Sequence, residues 1–513
     1  MSQDVESLWN EYRAENHFLM SRSYPRSFIK DNATVIGGHI LIYMKGIILM
    51  PIIIKTVGVT IYGGFVLFSS VLGIVFGISS FGAGFRARRF LPATADMTAR
   101  RELFYPQFLF GLVSILFFSA VLILLDRSIN TYIFKNEISY SVWVIPLFLI
   151  FYFLYSQGSD YFRYTSRVHY MTAATLSFPY THIALILLFY YCCRYITINI
   201  LVLSQTLSAL LIAIPCFWMI FREMGVKVSF YKFKGLVSDI KLGFPLILGF
   251  IVDFILAGSD RYFIAFYMTV SAVGYYNPGY VLGSLIVFIP KAMGTALPQL
   301  MSKAVDSKNE YEAQRMLNYA LKIFLLLAIP FIIGSMVLGK PILTLLANRE
   351  VAETAYLVIP IVALGTLFYG LNIILSNVLF VRMKTFAMLK MNLLAAVFNL
   401  LANVILLYFF RNIIVAAVTT VASYCIAFIY IIKMVKKDWP VDFQPVVIVK
   451  SVISSFVMAG ILYGVSATLG YMNTVGAFST ELVLGIIVYF GALIALGTFS
   501  KKELQFIKSC VCR

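Results

Sequence analysis

The chain has 513 residues, 61% hydrophobic and only 12% charged, about half the charged fraction of an ordinary soluble domain. Its net charge is +18. So apolar a composition excludes a soluble enzyme and predicts an all-α polytopic membrane protein, since helices satisfy their own backbone hydrogen bonds in lipid and the apolar runs are too long for barrel strands.

Residues 1–31 contain no apolar stretch of the kind a cleavable signal needs. They read as a cytoplasmic N-terminal segment. Fourteen spans follow, at 32–54, 60–81, 106–125, 141–157, 172–192, 196–220, 243–268, 275–300, 319–338, 354–378, 391–410, 412–432, 446–468 and 481–499. Residues 500–513 form a cytoplasmic tail. With the N-terminus inside, 32 of the 41 Lys and Arg fall on the inner side and 7 on the outer. This bias is the positive-inside rule. It accounts for the basic balance through an anionic leaflet, with no nucleic acid.

Spans 1–6 and 7–12 repeat in length and spacing. "LLDRSINTYIFKNE" (124–137) is similar to "VLGKPILTLLANRE" (337–350) at an offset of 213, which also lays Tyr62 on Tyr275. Six spans is an even number, so both halves enter the membrane in one orientation. The expectation is two side-by-side six-helix bundles, at 32–220 and 243–432. A cytoplasmic linker at 221–242 joins them, and a basic loop with two appended helices follows at 433–499. Parallel repeats place a substrate site at their interface and suggest alternating access.

The chemistry lies in the few intramembrane polar groups. Asp253 and Asp260 in span 7 are seven residues apart, two turns along one face, while Arg261 points about 100° away from its neighbour. Adjacent side chains so arranged do not pair face to face, so each needs a partner elsewhere. Both acids are candidates for coupling to H+ or Na+. Lys45 in mid-span 1, Arg261, Lys291 and Arg86 are candidate cavity cations, and a phosphate is the natural guest for such groups. Each also has a bland reading: Arg261 and Lys291 could snorkel to an interface, and Arg86 with Arg88 and Arg89 could be topological anchors. Asn392, Asn399 and Asn403 share a face of span 11, as packing polar groups or as cavity lining. No ATP-binding, catalytic or metal-ligating pattern stands out, and the six cysteines show neither a disulfide framework nor paired metal spacing. No cofactor is expected.

Three stretches carry a family resemblance: "VGVTIYGGFVLFSS", "FPLILGFIVDFILAGSDRYFIAFYMTVSAVGYYNPGY" and "FNLLANVILLYFFRNIIVAAVTTVASY". Of these, D-R-Y-F-I followed by A-V-G-x-Y is the most specific. The chain resembles the polysaccharide (O-antigen, Wzx-type) flippases of the multidrug/oligosaccharidyl-lipid/polysaccharide exporter superfamily. The resemblance implies two six-helix bundles in a V around a central cavity, plus two C-terminal helices. It implies a multi-pass plasma-membrane flippase that moves polyprenyl-diphosphate-linked oligosaccharides from the inner to the outer leaflet, alongside other polysaccharide-assembly membrane proteins. Asp260 and Arg261 carry over from the D-R-Y-F core. Lys45, Lys291 and Asp253 rest on position alone. The first repeat has "MKGII" where the second has "GSDRYF", which speaks against symmetric coupling sites. The competing expectations are a cation-coupled drug or organic-cation antiporter of the same superfamily, which would need more acids in the cavity, and a membrane-embedded glycan polymerase or ligase, which would need a longer outer loop.

Overall fold

The computed structural model describes residues 41, 44–79, 84–94, 96–165, 167–225, 233–468 and 475–499. Among these residues every regular element is helical. The long helices of the first half are α1 (44–57), α2 (Val59–Ser79), α3 (Met97–Leu124), α4 (Val144–Tyr164), α5 (Val168–Cys193) and α6 (Ile198–Met224). Those of the second half are α7 (Phe233–Tyr267), α8 (Val270–Asp306), α9 (Glu310–Leu346), α10 (Val358–Val381), α11 (Thr385–Phe410) and α12 (Ile413–Val435). Then come α13 (Pro445–Thr468) and α14 (Val475–Ala495).

Eleven described helices are long and apolar enough to cross a membrane: α2, α3, α5, α6 and α8 to α14. The chain is therefore a multi-pass membrane protein. The other three expected spans coincide with helices outside that group. Only 14 residues, 44–57, are described for α1. The α4 helix ends in the polar run SQGSDYFRY. The N-terminal segment, most of the linker and the C-terminal tail with Cys510 and Cys512 lie outside the described residues.

Local chemistry sets the helix ends. Asp96 caps α3 by accepting from the Thr98 and Ala99 amides, Thr197 caps α6, Thr269 caps α8 and Asn412 caps α12. The α8 helix is interrupted by a 3-10 turn at Ser284–Val287. Pro290 explains it: the ring has no N–H to give the carbonyl of Ile286 and crowds it. The repeat is visible in the backbone. The fifth helix of the first half ends on Arg194 and its counterpart α11 on Arg411, both in the left-handed region at φ 62° and 43°. Each turn then runs directly into a side-chain-capped helix.

The apolar core shows how the halves meet. At the end where α1 joins α2, α5 joins α6 and α11 joins α12, a single cluster takes residues from both halves, among them Phe68, Ile145, Ile198, Val273, Tyr276 and Val358. Towards the opposite end, where the basic loops lie, the core divides. One cluster around Tyr161, Phe178 and Phe217 belongs to the first half, and another around Phe324, Leu375 and Trp439 to the second. The halves are thus fused by packing at the charge-poor end.

That fused seam is formed by α2 against α8. A Cβ on Gly63 would stand 2.3 Å from the Val270 carbonyl, and one on Gly274 2.2 Å from the Val59 carbonyl. Only glycine permits this approach. One turn away Thr60 and Ser271 share a hydrogen bond of 2.7 Å. Both pairs are related by 211 residues. Residues that meet their own counterparts mark the repeat axis, so the local offset is 211 and not the 213 suggested by sequence. Lys55 and Lys135 of the first half also donate to the Leu345 and Met268 carbonyls of the second, at 2.6 and 2.7 Å. These carbonyls end helices, where a cation is favoured.

The appended α13 packs on α9, and α14 on α13. Between α8, α9, α13 and α14 lies a cavity of about 330 Å³ with an apolar lining that includes Leu285, Phe331, Leu338, Ile342, Met458 and Phe490.

Candidate substrate and coupling site

The centre of the second half is a buried polar cluster built on Asp260. This side chain is 1% exposed. Its Oδ2 accepts from Tyr276 Oη at 2.9 Å and Thr420 Oγ1 at 2.7 Å, and its Oδ1 from Asn403 Nδ2 at 3.0 Å. The donors come from α8, α12 and α11. Asn403 also donates to Asn399 Oδ1 at 3.1 Å and accepts from Thr419 at 2.7 Å, while Ser259 donates to Asn399 Oδ1 at 3.2 Å. A buried acid is tolerable only with such partners. Asn399 Nδ2 alone lacks one.

Arg261 turns the other way, as helical geometry requires. Its Nε donates to Asn277 Oδ1 at 2.9 Å, one Nη donates to the Ala257 carbonyl at 3.0 Å, and its guanidinium lies 4.5 Å from the centre of the Tyr280 ring. Asn277 in turn donates to Tyr62 Oη on α2 at 2.7 Å. Arg261 is therefore linked through one asparagine to the opposite half. The adjacent acid and base thus take separate partners, Asp260 on α8, α11 and α12 and Arg261 on α8 and its own helix.

Lys45 is half-buried on α1, with its Nζ 5.4 Å from the centre of the Phe178 ring. Phe178 stacks on Tyr155 at 4.6 Å. The next residue, Gly46, faces Val281, 3.5 Å from where a Cβ would stand. So α1 meets α8 one residue beyond the tyrosine that carries Arg261, and both cations flank the same stretch of α8. Among the described residues neither has a carboxylate within ion-pair distance. Aromatic faces stabilise them instead.

The other expected residues are placed differently from one another. Asp253 shares the face of Asp260 by phase, yet it is exposed. Lys291 is exposed on α8, close enough for its charge to act on Asp253. Asn392 is half-buried, whereas Asn399 and Asn403 are fully buried and belong to the Asp260 cluster. The side chain of Arg86 lies outside the described residues. The sequence reading missed Thr420, Tyr276 and Asn277. Asn277 had a signal, as a polar residue before Pro278 inside a span. A threonine in a span carries none, because its hydroxyl can bond its own helix, as Thr420 does to the Ala416 carbonyl at 3.0 Å.

Comparison with known proteins accords with this geometry. Two curated relatives come from Haloferax volcanii. The chain is 23% identical over 230 residues to a probable low-salt glycan biosynthesis flippase, Agl15, covering 45% of this chain and 48% of that one. It is 25% identical over 258 residues to a probable flippase, AglR, covering 49% and 52%. The chain thus spans about half the length of the curated relatives it matches. Among solved structures, the inward closed conformation of the lipid II flippase MurJ superposes with a TM-score of 0.70 at 16% identity, over 90% of this chain and 98% of that chain. An inward-facing multidrug resistance MATE family transporter of the MOP superfamily superposes with a TM-score of 0.60 at 13% identity, over 79% and 96%. These likenesses establish the fold. The MatE family matches residues 245–405, the part that contains Asp260, Tyr276, Asn399 and Asn403. The family described as polysaccharide biosynthesis protein matches residues 28–304, more than half of the chain, and the chain belongs to that family.

Proposed function

We propose that the protein is a flippase for polyprenyl-diphosphate-linked oligosaccharides, a transporter and not an enzyme, working by alternating access of its two halves. The observation that carries this reading is the pair Lys45 and Arg261. Two cations flank one stretch of α8 in an apolar chain, held by aromatic rings and without carboxylate partners among the described residues. Positive charge in such surroundings is costly and marks a site for an anion. A diphosphate suits it, because guanidinium binds phosphate oxygens through parallel hydrogen bonds. The apolar cavity beside α13 and α14 suits the polyprenyl chain, and the names of the Haloferax relatives accord with a glycan headgroup.

In this reading the basic end faces the cytoplasm, as the charge bias indicates. The α2–α8 seam closes the outer side and must part for release. The Asp260 cluster serves ion coupling. Its carboxylate, two asparagine carbonyls and threonine hydroxyl offer oxygen atoms to H+ or Na+, and it lies one residue from Arg261, so a change in its charge reaches the substrate site. An organic-cation antiporter is less well supported, because Asp260 is wholly engaged with its own chain.

The test is reconstitution into liposomes with a polyprenyl-diphosphate oligosaccharide, following glycan exposure on the opposite leaflet. Protein-dependent exposure is expected. No movement of lipid-linked glycan, with proton-driven efflux of organic cations, would replace this reading with the antiporter.

A further inference from the structure

The motif FRARRF forms a short helix, Phe85–Phe90, at the basic end between α2 and α3. It packs on α4 of its own half and on α7 of the other. Gly84 fixes its entry: a Cβ there would stand 3.5 Å from Tyr164 Oη and 3.2 Å from Gln107 Oε1. Arg88 is one turn beyond Gly84, and Asp160 one turn before Tyr164. The packing therefore brings Arg88 towards Asp160, and the Arg88 charge acts on both Asp160 and Tyr164. Arg163 reaches the same carboxylate at 3.5 Å from within α4. The Asp160 side chain is 21% exposed and that of Arg163 51%, so the pair is open to an incoming group. Gln107 is 7% exposed; its Oε1 lies beside Gly84 and its amide Nε2 has no partner.

We propose that Arg88, Arg163 and Gln107 form an entry site for the substrate diphosphate, and that Asp160 holds the two arginines until the phosphates displace it. The proposal rests on the flippase reading. Carboxylate and phosphate offer a guanidinium the same pair of oxygens, so Asp160 occupies the place the substrate takes. A diphosphate carries more negative charge than one carboxylate and has oxygens to spare for the orphan amide. Exchange is therefore favoured, whereas a neutral lipid gains nothing from it. The helix touches both halves at the end where their cores divide, which is where a substrate from the basic side must pass.

The experiment measures binding of farnesyl diphosphate to the full-length protein in nanodiscs by calorimetry, with farnesol as the uncharged control. Arg88→Ala should weaken binding about tenfold, the loss of one charge-assisted contact. Asp160→Asn should strengthen it several-fold, because the competitor is gone. Improvement cannot come from misfolding, so the opposite signs separate the site from a damaged fold. Farnesol should show no difference among the three proteins. If the wild type binds and both variants stay within about twofold of it, the entry site is wrong while the flippase reading stands. A wild type that binds no prenyl diphosphate overturns both.

Discussion

The two halves share a scaffold and differ in what they bury. The first half fills its centre with rings: Phe76, Phe148, Tyr152, Tyr155 and Phe178 pack together, with Lys45 above the last. The second buries a carboxylate, Asp260, with two asparagines and two threonines around it. A repeat can thus keep its helix ends and its seam while each copy takes a different task. In the proposed mechanism, one half presents a cation on an aromatic bed and the other adds an ion-responsive acid beside its arginine.

The comparison breaks most readily at Asp260. Asp260→Ala leaves the hydroxyl of Tyr276 and an amide hydrogen of Asn403 buried without an acceptor, while Thr420 falls back on the Ala416 carbonyl, a loss of about 2 kcal/mol or more. The melting temperature in detergent should fall sharply. An unchanged melting temperature would show that the cluster does not hold the second half together. Next is the seam common to both halves. Gly274→Ala puts a methyl group against the Val59 carbonyl, costing about 1–3 kcal/mol of overpacking. The expected sign is lower stability with increased labelling of a cysteine placed at Thr60. Equal labelling would mean that the seam yields without opening.

Lys45→Met sharpens the contrast in the other direction. It keeps the contact with Phe178 and removes only charge, so stability should hold while flipping falls about tenfold. A loss of stability in step with activity would make Lys45 structural. The smallest effect is expected at the basic end, where each half ties its last helix to the loop before its fifth. Arg167 with Arg100 grips Glu223 in the first, and Lys384 grips Asp438 in the second. These side chains are partly exposed, so Lys384→Gln should cost under about 1 kcal/mol, and the bidentate Arg167 pair somewhat more. Melting curves of Lys384→Gln and Arg167→Gln test that order.

Much of the architecture was legible because lipid imposes it. Apolar length located the spans, their recurring lengths and spacings gave the repeat, and the Lys and Arg bias gave the orientation. The helices nevertheless outrun the apolar segments. The expected span at 141–157 stops where SQGSD begins, yet α4 continues to Tyr164, since backbone hydrogen bonding does not end where hydropathy does. Asp160 and Arg163, and with them the entry site, were overlooked for that reason. The i, i+4 pair Asn399 and Asn403 was legible as a face, and Asp260 as a costly acid, but not that they meet. That depends on how α7, α11 and α12 are rotated and shifted against one another, which periodicity within one helix does not encode. Gly63 and Gly274 read as ordinary glycines in a span. Only the interhelical distance shows that no other residue fits.

The central claim is that the two cations beside α8 carry the lipid diphosphate. It is tested most directly by combining Lys45→Met with Arg261→Gln and measuring glycan translocation in liposomes, with the melting temperature of each protein taken alongside. The account predicts a loss of about 100-fold or more, as removal of two charged contacts implies, from a protein that still folds. Translocation at the wild-type rate by the double variant would contradict it.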